Sequence, residues 1–150
     1  ALTEGAKAPN FTGAKTDLSA WSLSDAGSTV KIISSVPSLD TPVCDLQTKR
    51  FNKEAANLNG VTVVTVSLDL PFAQARWCAA ANANSHIVLS DYAERDFGKK
   101  FGTLIKELKL LTRAVFVLDK DNTVKYVQYV PEITNEPDYE AALKAAKSLL

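Results

Sequence analysis

The residues that build metal and nucleotide sites are scarce in this 150-residue sequence, which has one histidine (His86), two cysteines (Cys44 and Cys78) and six glycines. One histidine and two thiols cannot close a zinc site without carboxylate help, and neither C-x-x-C nor H-E-x-x-H occurs. The loops that cradle phosphates, G-x-x-x-x-G-K-[ST] and G-x-G-x-x-G, are missing as well. Net charge is zero, with 17 Lys and Arg against 17 Asp and Glu. Nucleic acid or an anionic membrane therefore finds no general attraction. No apolar run reaches the roughly 20 residues of a membrane span. The first residues also lack the basic-then-apolar pattern of a signal peptide, so a cytoplasmic location is the expectation. With 33 residues between its two cysteines, the chain is no disulfide scaffold. A chain that opens on Ala1 and contains no methionine is expected to have been processed or shortened relative to its gene.

What is present is ordinary globular composition, 46% hydrophobic and 23% charged, without repeats or linkers. That composition and length predict a single domain over residues 1–150. The informative stretch is Pro37-Ser38-Leu39-Asp40-Thr41-Pro42-Val43-Cys44, which joins a strand-like run to a helix-like one. Pro42 suits the first helical position, where its missing N–H costs nothing. Thr41 is then the N-cap and Cys44 the third helical residue. A thiol in the first turn feels the positive end of the helix dipole, which favours thiolate over thiol. Read by itself, the segment remains open to a plain alternative: ordinary helix capping beside a buried, inert cysteine.

In chain order, residues 1–29 read as loop and short edge structure anchored by Leu2, Phe11, Leu18, Trp21 and Leu23. Val30–Val36 reads as a strand and Pro42–Leu58 as a helix closed by Gly60. Cys44, Phe51, Ala55 and Leu58 form its buried stripe, with the thiol near the rim. Val61–Leu68, β-branched and apolar on both faces, reads as a central strand. A helix over Pro71–Ala83, a strand at Ile87–Leu89 and a helix over Asp91–Phe101 follow, Gly98 and Gly102 marking the last helix's fraying end. A loop runs to Thr112. Ala114–Leu118 and Val124–Val130 make a hairpin about Asp119-Lys120-Asp121-Asn122, its second strand near an edge. A final helix starts at Pro137. The order predicts an α/β protein of thioredoxin-like fold, a mixed central sheet flanked by helices. Phe72 and Trp77 read as core, Asp69 as a cap or turn residue, His86 as a packed or surface group, and Lys99-Lys100 as a solvated face.

P-x-x-x-T-x-x-C, here Pro37, Thr41 and Cys44, resembles the peroxiredoxin signature. The segments PSLDTPVCDLQTKRFNKEA, VSLDLPFAQARWC, LLTRAVFVLDKDNTVKYVQYV and EITNEPDYEAAL are similar to the thiol peroxidase branch of that family. The resemblance implies that Cys44 attacks peroxide and becomes a sulfenic acid. It implies that Thr41 bonds the thiolate or peroxide, Pro37 shields the pocket, and Arg113 holds the thiolate and polarises the peroxide. Cys78 is implied as the resolving thiol of the same chain. Also implied are a homodimer, reduction by thioredoxin, and no metal or organic cofactor. Two departures stand out. The family's additional N-terminal hairpin is expected to precede Ala1, and Ala79-Ala80-Ala81-Asn82-Ala83-Asn84 replaces a glycine-containing turn, which makes unwinding around Cys78 harder. Two other functions stay open at this point. One is a disulfide oxidoreductase, against which the missing C-x-x-C speaks. The other is a non-enzymatic module stapled by a Cys44–Cys78 bond, whose loop of ~35 residues would stabilise by roughly 3–4 kcal/mol.

Overall fold

A computed structural model describes residues 2–40, 42–55, 58–81, 87–130 and 135–150, with backbone alone at 42, 43, 55 and 79–81. The strands are β1 (Thr12–Ala14), β2 (Ala20–Ser22), β3 (Val30–Ser35), β4 (Val61–Ser67), β5 (Ile87–Ser90), β6 (Leu104–Ile105), β7 (Leu110–Leu111), β8 (Ala114–Leu118) and β9 (Val124–Tyr129). The helices are α1 (Pro42–Ala55), α2 (Pro71–Ala81), α3 (Asp96–Phe101) and α4 (Tyr139–Ser148), with a 3-10 turn at Leu23–Ala26.

Seven strands form one mixed sheet in the order β2-β1-β5-β4-β3-β8-β9, with β4 at its centre as its β-branched run, apolar on both faces, predicts. β3, β4 and β5 run parallel; β8 runs antiparallel to β3 and β9 to β8. The alternating β9 lies at an edge, also as expected. Alternation along each strand supplies two cores. Val30, Ile32, Val115 and Val117 face α1 and α4, where Phe51 meets Tyr139 edge-on at 5.3 Å. Ile33, Val64, Val66 and Phe116 face the other way, onto Phe11, Phe97 and Phe101. Each such fully buried side chain contributes about 1.5–3 kcal/mol. Among the described residues, no helix is long and apolar enough to cross a membrane.

Several local expectations need correction. Residues 91–95 form a turn, not the start of a helix. Arg95 sits at φ 52°, and the Asp91 carboxylate reaches over it to accept from Phe97 N (3.0 Å) and Gly98 N (2.8 Å). Gly98 is no fraying end: a Cβ there would stand 2.8 Å from Leu111, so the helix packs at this point because the residue is glycine. The expected loop to Thr112 contains the β6–β7 hairpin, whose two-residue strands are too short to show a period. The last helix begins at Tyr139, two residues after Pro137, because the Asp138 side chain accepts from Ala141 N and caps it there. Leu18 is no anchor; it lies in the β1–β2 turn at φ 73° and is 54% exposed. Leu58, expected to end the first long helix, is not helical, while 56–57 and the expected end of the second, 82–83, lie outside the described residues.

Candidate active site

β3 ends at Ser35 and the chain turns through Pro37–Asp40 before entering α1, so the helix starts at the carboxyl end of a sheet strand. Cys44, its third residue, is fully buried, deeper than the rim position its stripe predicts. The cause lies on the neighbouring strand. β8 pairs with β3 so that Ala114 faces Ser35. Arg113, one residue before, therefore lies under the turn that leads to the cysteine. Its Nη2 donates to Cys44 Sγ at 3.2 Å, and its Nη1 donates to Gln47 Oε1 at 2.7 Å. Gln47 Nε2 in turn donates to Ser34 Oγ. Arg113, Gln47 and Ser34 are all fully buried. Burying a guanidinium is expensive unless its charge and N–H groups are met. The thiol sulfur and an amide are among its acceptors, so one nitrogen of the cation is aimed at the sulfur.

A second polar knot holds the turn itself. The Asp69 carboxylate, just beyond β4, accepts from Ser38 Oγ, Leu39 N and Ser67 Oγ, each at 2.8 Å. Ser38 Oγ also accepts from Asp40 N at 3.2 Å. The stretch before the cysteine is thus tied to the end of the central strand. Asp69 does act as a turn residue, but for a turn 30 positions upstream.

Val36, Leu39, Cys44 and Val88 form a small apolar cluster, and Trp77 and Cys78 of α2 pack against it. Cys78 is half-buried, and both cysteines are free thiols. Burial pushes the Cys78 thiol above the ordinary thiol range. Two sulfurs from separate helices thus border one apolar cluster, and the Cys44 sulfur meets the Arg113 guanidinium.

The redoxin family profile matches residues 3–143. The chain belongs to the redoxin family. A thiol peroxidase of Halalkalibacterium halodurans is 57% identical over 146 residues, covering 97% of this redoxin and 88% of its own length. One from Bacillus subtilis is 53% identical over 146 residues, covering 97% and 87%. Among solved structures, a peroxiredoxin-like protein from Aquifex aeolicus matches with a TM-score of 0.93 at 44% identity, over 99% of this chain and 88% of that one. A thiol peroxidase from Chromobacterium violaceum, at 21% identity and TM-score 0.89 over 98% and 87%, shares the thioredoxin-like fold. The expected family and fold are therefore correct, and the relatives support thiol peroxidase activity.

Of the residues the resemblance singled out in this redoxin, Cys44 and Arg113 meet directly, Pro37 is buried in the turn, and Cys78 borders the same cluster. Thr41 lies outside the described residues, as do His86 and 82–84 of the stretch after Cys78. Phe72, expected in the core, is 64% exposed, because α2 buries Pro71 and turns its second residue outward. Lys99 and Lys100 are exposed as expected, Lys100 pairing with Asp96 at 3.1 Å. Gln47 was hidden from sequence reading in a polar and charged stretch of the helix, although its i+3 spacing from Cys44 puts both on one helical face. A concavity of about 390 Å³ lies between the β1–β2 hairpin and the loop after β5, and it shares no lining residue with the cysteine site. Among the described residues, no group of three or more His, Cys, Asp or Glu side chains could hold a metal.

Proposed function

We propose that this redoxin reduces hydrogen peroxide and alkyl or lipid hydroperoxides in an antioxidant role, with Cys44 as the attacking thiol and Cys78 as the resolving one. The observation that carries the reading is the 3.2 Å contact of Arg113 Nη2 with Cys44 Sγ. A thiolate attacks one peroxide oxygen, the O–O bond breaks, and the second oxygen leaves as water or alcohol after taking a proton. Sulfur loses two electrons and the peroxide gains them, leaving Cys44 as a sulfenic acid. Negative charge moves from sulfur to the departing oxygen, and a fixed guanidinium beside the sulfur stabilises both ends of that movement. The Thr41 hydroxyl is proposed to orient the peroxide, and Pro37 to keep water from the sulfur.

In the second half, Cys78 sulfur attacks the sulfenic sulfur, the S–O bond breaks, and water leaves as the disulfide forms. A dithiol reductant, for which we propose thioredoxin, restores both thiols. We further propose a cytoplasmic homodimer of single-domain subunits working without metal or organic cofactor. Burial raises the Cys78 thiol, which supports this division of labour because the thiolate is the attacking form. The test is stoichiometric. Cys44→Ser should consume no peroxide, whereas Cys78→Ser should reduce about one equivalent and accumulate a sulfenic acid that a dimedone-type reagent traps. The reverse pattern would exchange the two roles.

A further inference from the structure

Asp45 and Trp77 are each the next-door neighbour of a cysteine, and they are bonded to one another. Trp77 Nε1 donates to Asp45 Oδ1 at 2.6 Å, joining the first turn of α1 to the part of α2 that carries Cys78. The other Asp45 oxygen holds Lys49 at 3.0 Å on the same helix. Trp77 also packs its ring against the cluster that contains Cys44. Residues adjacent in a helix cannot move independently while the helix persists. Fixing the indole therefore fixes Cys78, and α2 continues through Ala81, three residues past the thiol.

Disulfide formation demands the opposite. The two Cα atoms must come within about 4.4–6.8 Å with converging Cβ directions. Cys78 lies in mid-helix and Cys44 in the first turn of another helix, so each helical backbone restricts how its Cα and Cβ can turn toward the other. From these facts we propose that the Asp45–Trp77 hydrogen bond is a latch that holds the Cys78 turn closed and sets the rate of the resolving step. Asp45 is a positioning residue in this scheme, because it acts through Trp77 and touches no reacting atom. The proposal rests on the thiol peroxidase reading for its consequence, in which the Cys78 sulfur attacks Cys44 sulfenic acid and water is released. The latch itself is a property of the reduced protein. A closed latch prolongs the sulfenic acid and so leaves it open to a second peroxide, which would carry it to sulfinic acid. An open latch shortens that interval.

The test is a double-mutant cycle on Cys78 exposure that needs no peroxide. In reduced Cys44→Ser protein, the rate of Cys78 modification by iodoacetamide measures how often the turn opens. Asp45→Ala and Trp77→Phe should each raise that rate about tenfold, the effect of losing one hydrogen bond to a charged group. The double variant should be no faster than the faster single one, because both remove the same bond. Lys49→Ala, which keeps the indole bond, should stay within about twofold of the parent. Asp45→Asn keeps shape and an acceptor and should fall between, which covers the case of a poorly folding alanine variant. With Cys44 present, the same substitutions should speed conversion of sulfenic acid to disulfide by a similar factor and lower the sulfinic acid formed at high peroxide. Unchanged modification rates, or a double variant equal to the product of the singles, would overturn the latch. If the exposure cycle holds but peroxide never oxidises Cys44, it is the peroxidase reading that fails.

Discussion

Gln47 accepts a 2.7 Å hydrogen bond from Nη1 of Arg113, and that bond sets where the other half of the guanidinium points. A planar fork with one nitrogen pinned has little freedom left for the second, which then meets Cys44 at 3.2 Å. Gln47→Ala should therefore leave Arg113 charged and buried but less well aimed. We expect a loss of about 1–3 kcal/mol in folding stability, the cost of breaking such a buried bond. Peroxide attack should slow about tenfold, measured from the first fast phase of oxidation. A variant that loses stability but keeps the parent rate would show Gln47 to be a packing residue only.

Arg113→Lys keeps the charge and removes the fork. An ammonium cannot bond Gln47 and the sulfur in one plane, so the peroxide rate constant should fall by more than tenfold. Equal rates in the two proteins would mean that charge alone suffices.

Asp69 gathers three donors, two of them from the turn that precedes the cysteine. Asp69→Ala leaves Leu39 N and the two hydroxyls to find other partners. Unfolding in urea should show a loss of roughly 2–4 kcal/mol, allowing about 1 kcal/mol or more for each broken bond. The peroxide rate should fall as well, since the turn carries Pro37 and leads into α1. Asp69→Asn keeps one acceptor oxygen and should recover part of both losses.

These three sites show how far the sequence can be read. The long strands were legible because β8 is a continuous apolar run and β3 and β4 are rich in β-branched residues, and the helix at Pro42 because proline and cysteine stand in first-turn order. The thiol's partner was not. Arg113 is 69 positions from Cys44 and Gln47 is 66 from Arg113, so no local pattern joins them. Arg113 came into view through family resemblance, and Gln47 did not come into view at all. A buried glutamine on an apolar stripe looks like an interruption until its partner is known. The start of α3 was misplaced for a related reason: its cap is Asp91, six residues before the first amide it holds.

Burial raises the Cys78 thiol, and the sign of the consequence follows directly. The folded protein holds that proton more tightly than the unfolded chain does. The stability this contributes is complete below the unfolded thiol value of about 8.5 and is lost as pH rises through the higher folded value. Reduced wild-type protein should therefore lose stability relative to Cys78→Ser above about pH 8.5, read from urea midpoints. The resolving step should accelerate through the same window, because only the thiolate attacks. In the Asp45→Ala variant, where opening no longer limits the step, a resolving rate flat with pH would contradict a protonated Cys78.

Cys44 is proposed to be a thiol made reactive by its place at the start of α1 and by Arg113. Stopped-flow mixing of reduced Cys78→Ser protein with hydrogen peroxide and with an alkyl hydroperoxide tests it most directly, since only the first step remains. The predicted result is a bimolecular phase at least a thousandfold faster than free cysteine at the same pH, equivalent to about 4 kcal/mol of barrier lowering, and absent from Cys44→Ser. A rate equal to that of free cysteine would contradict the account.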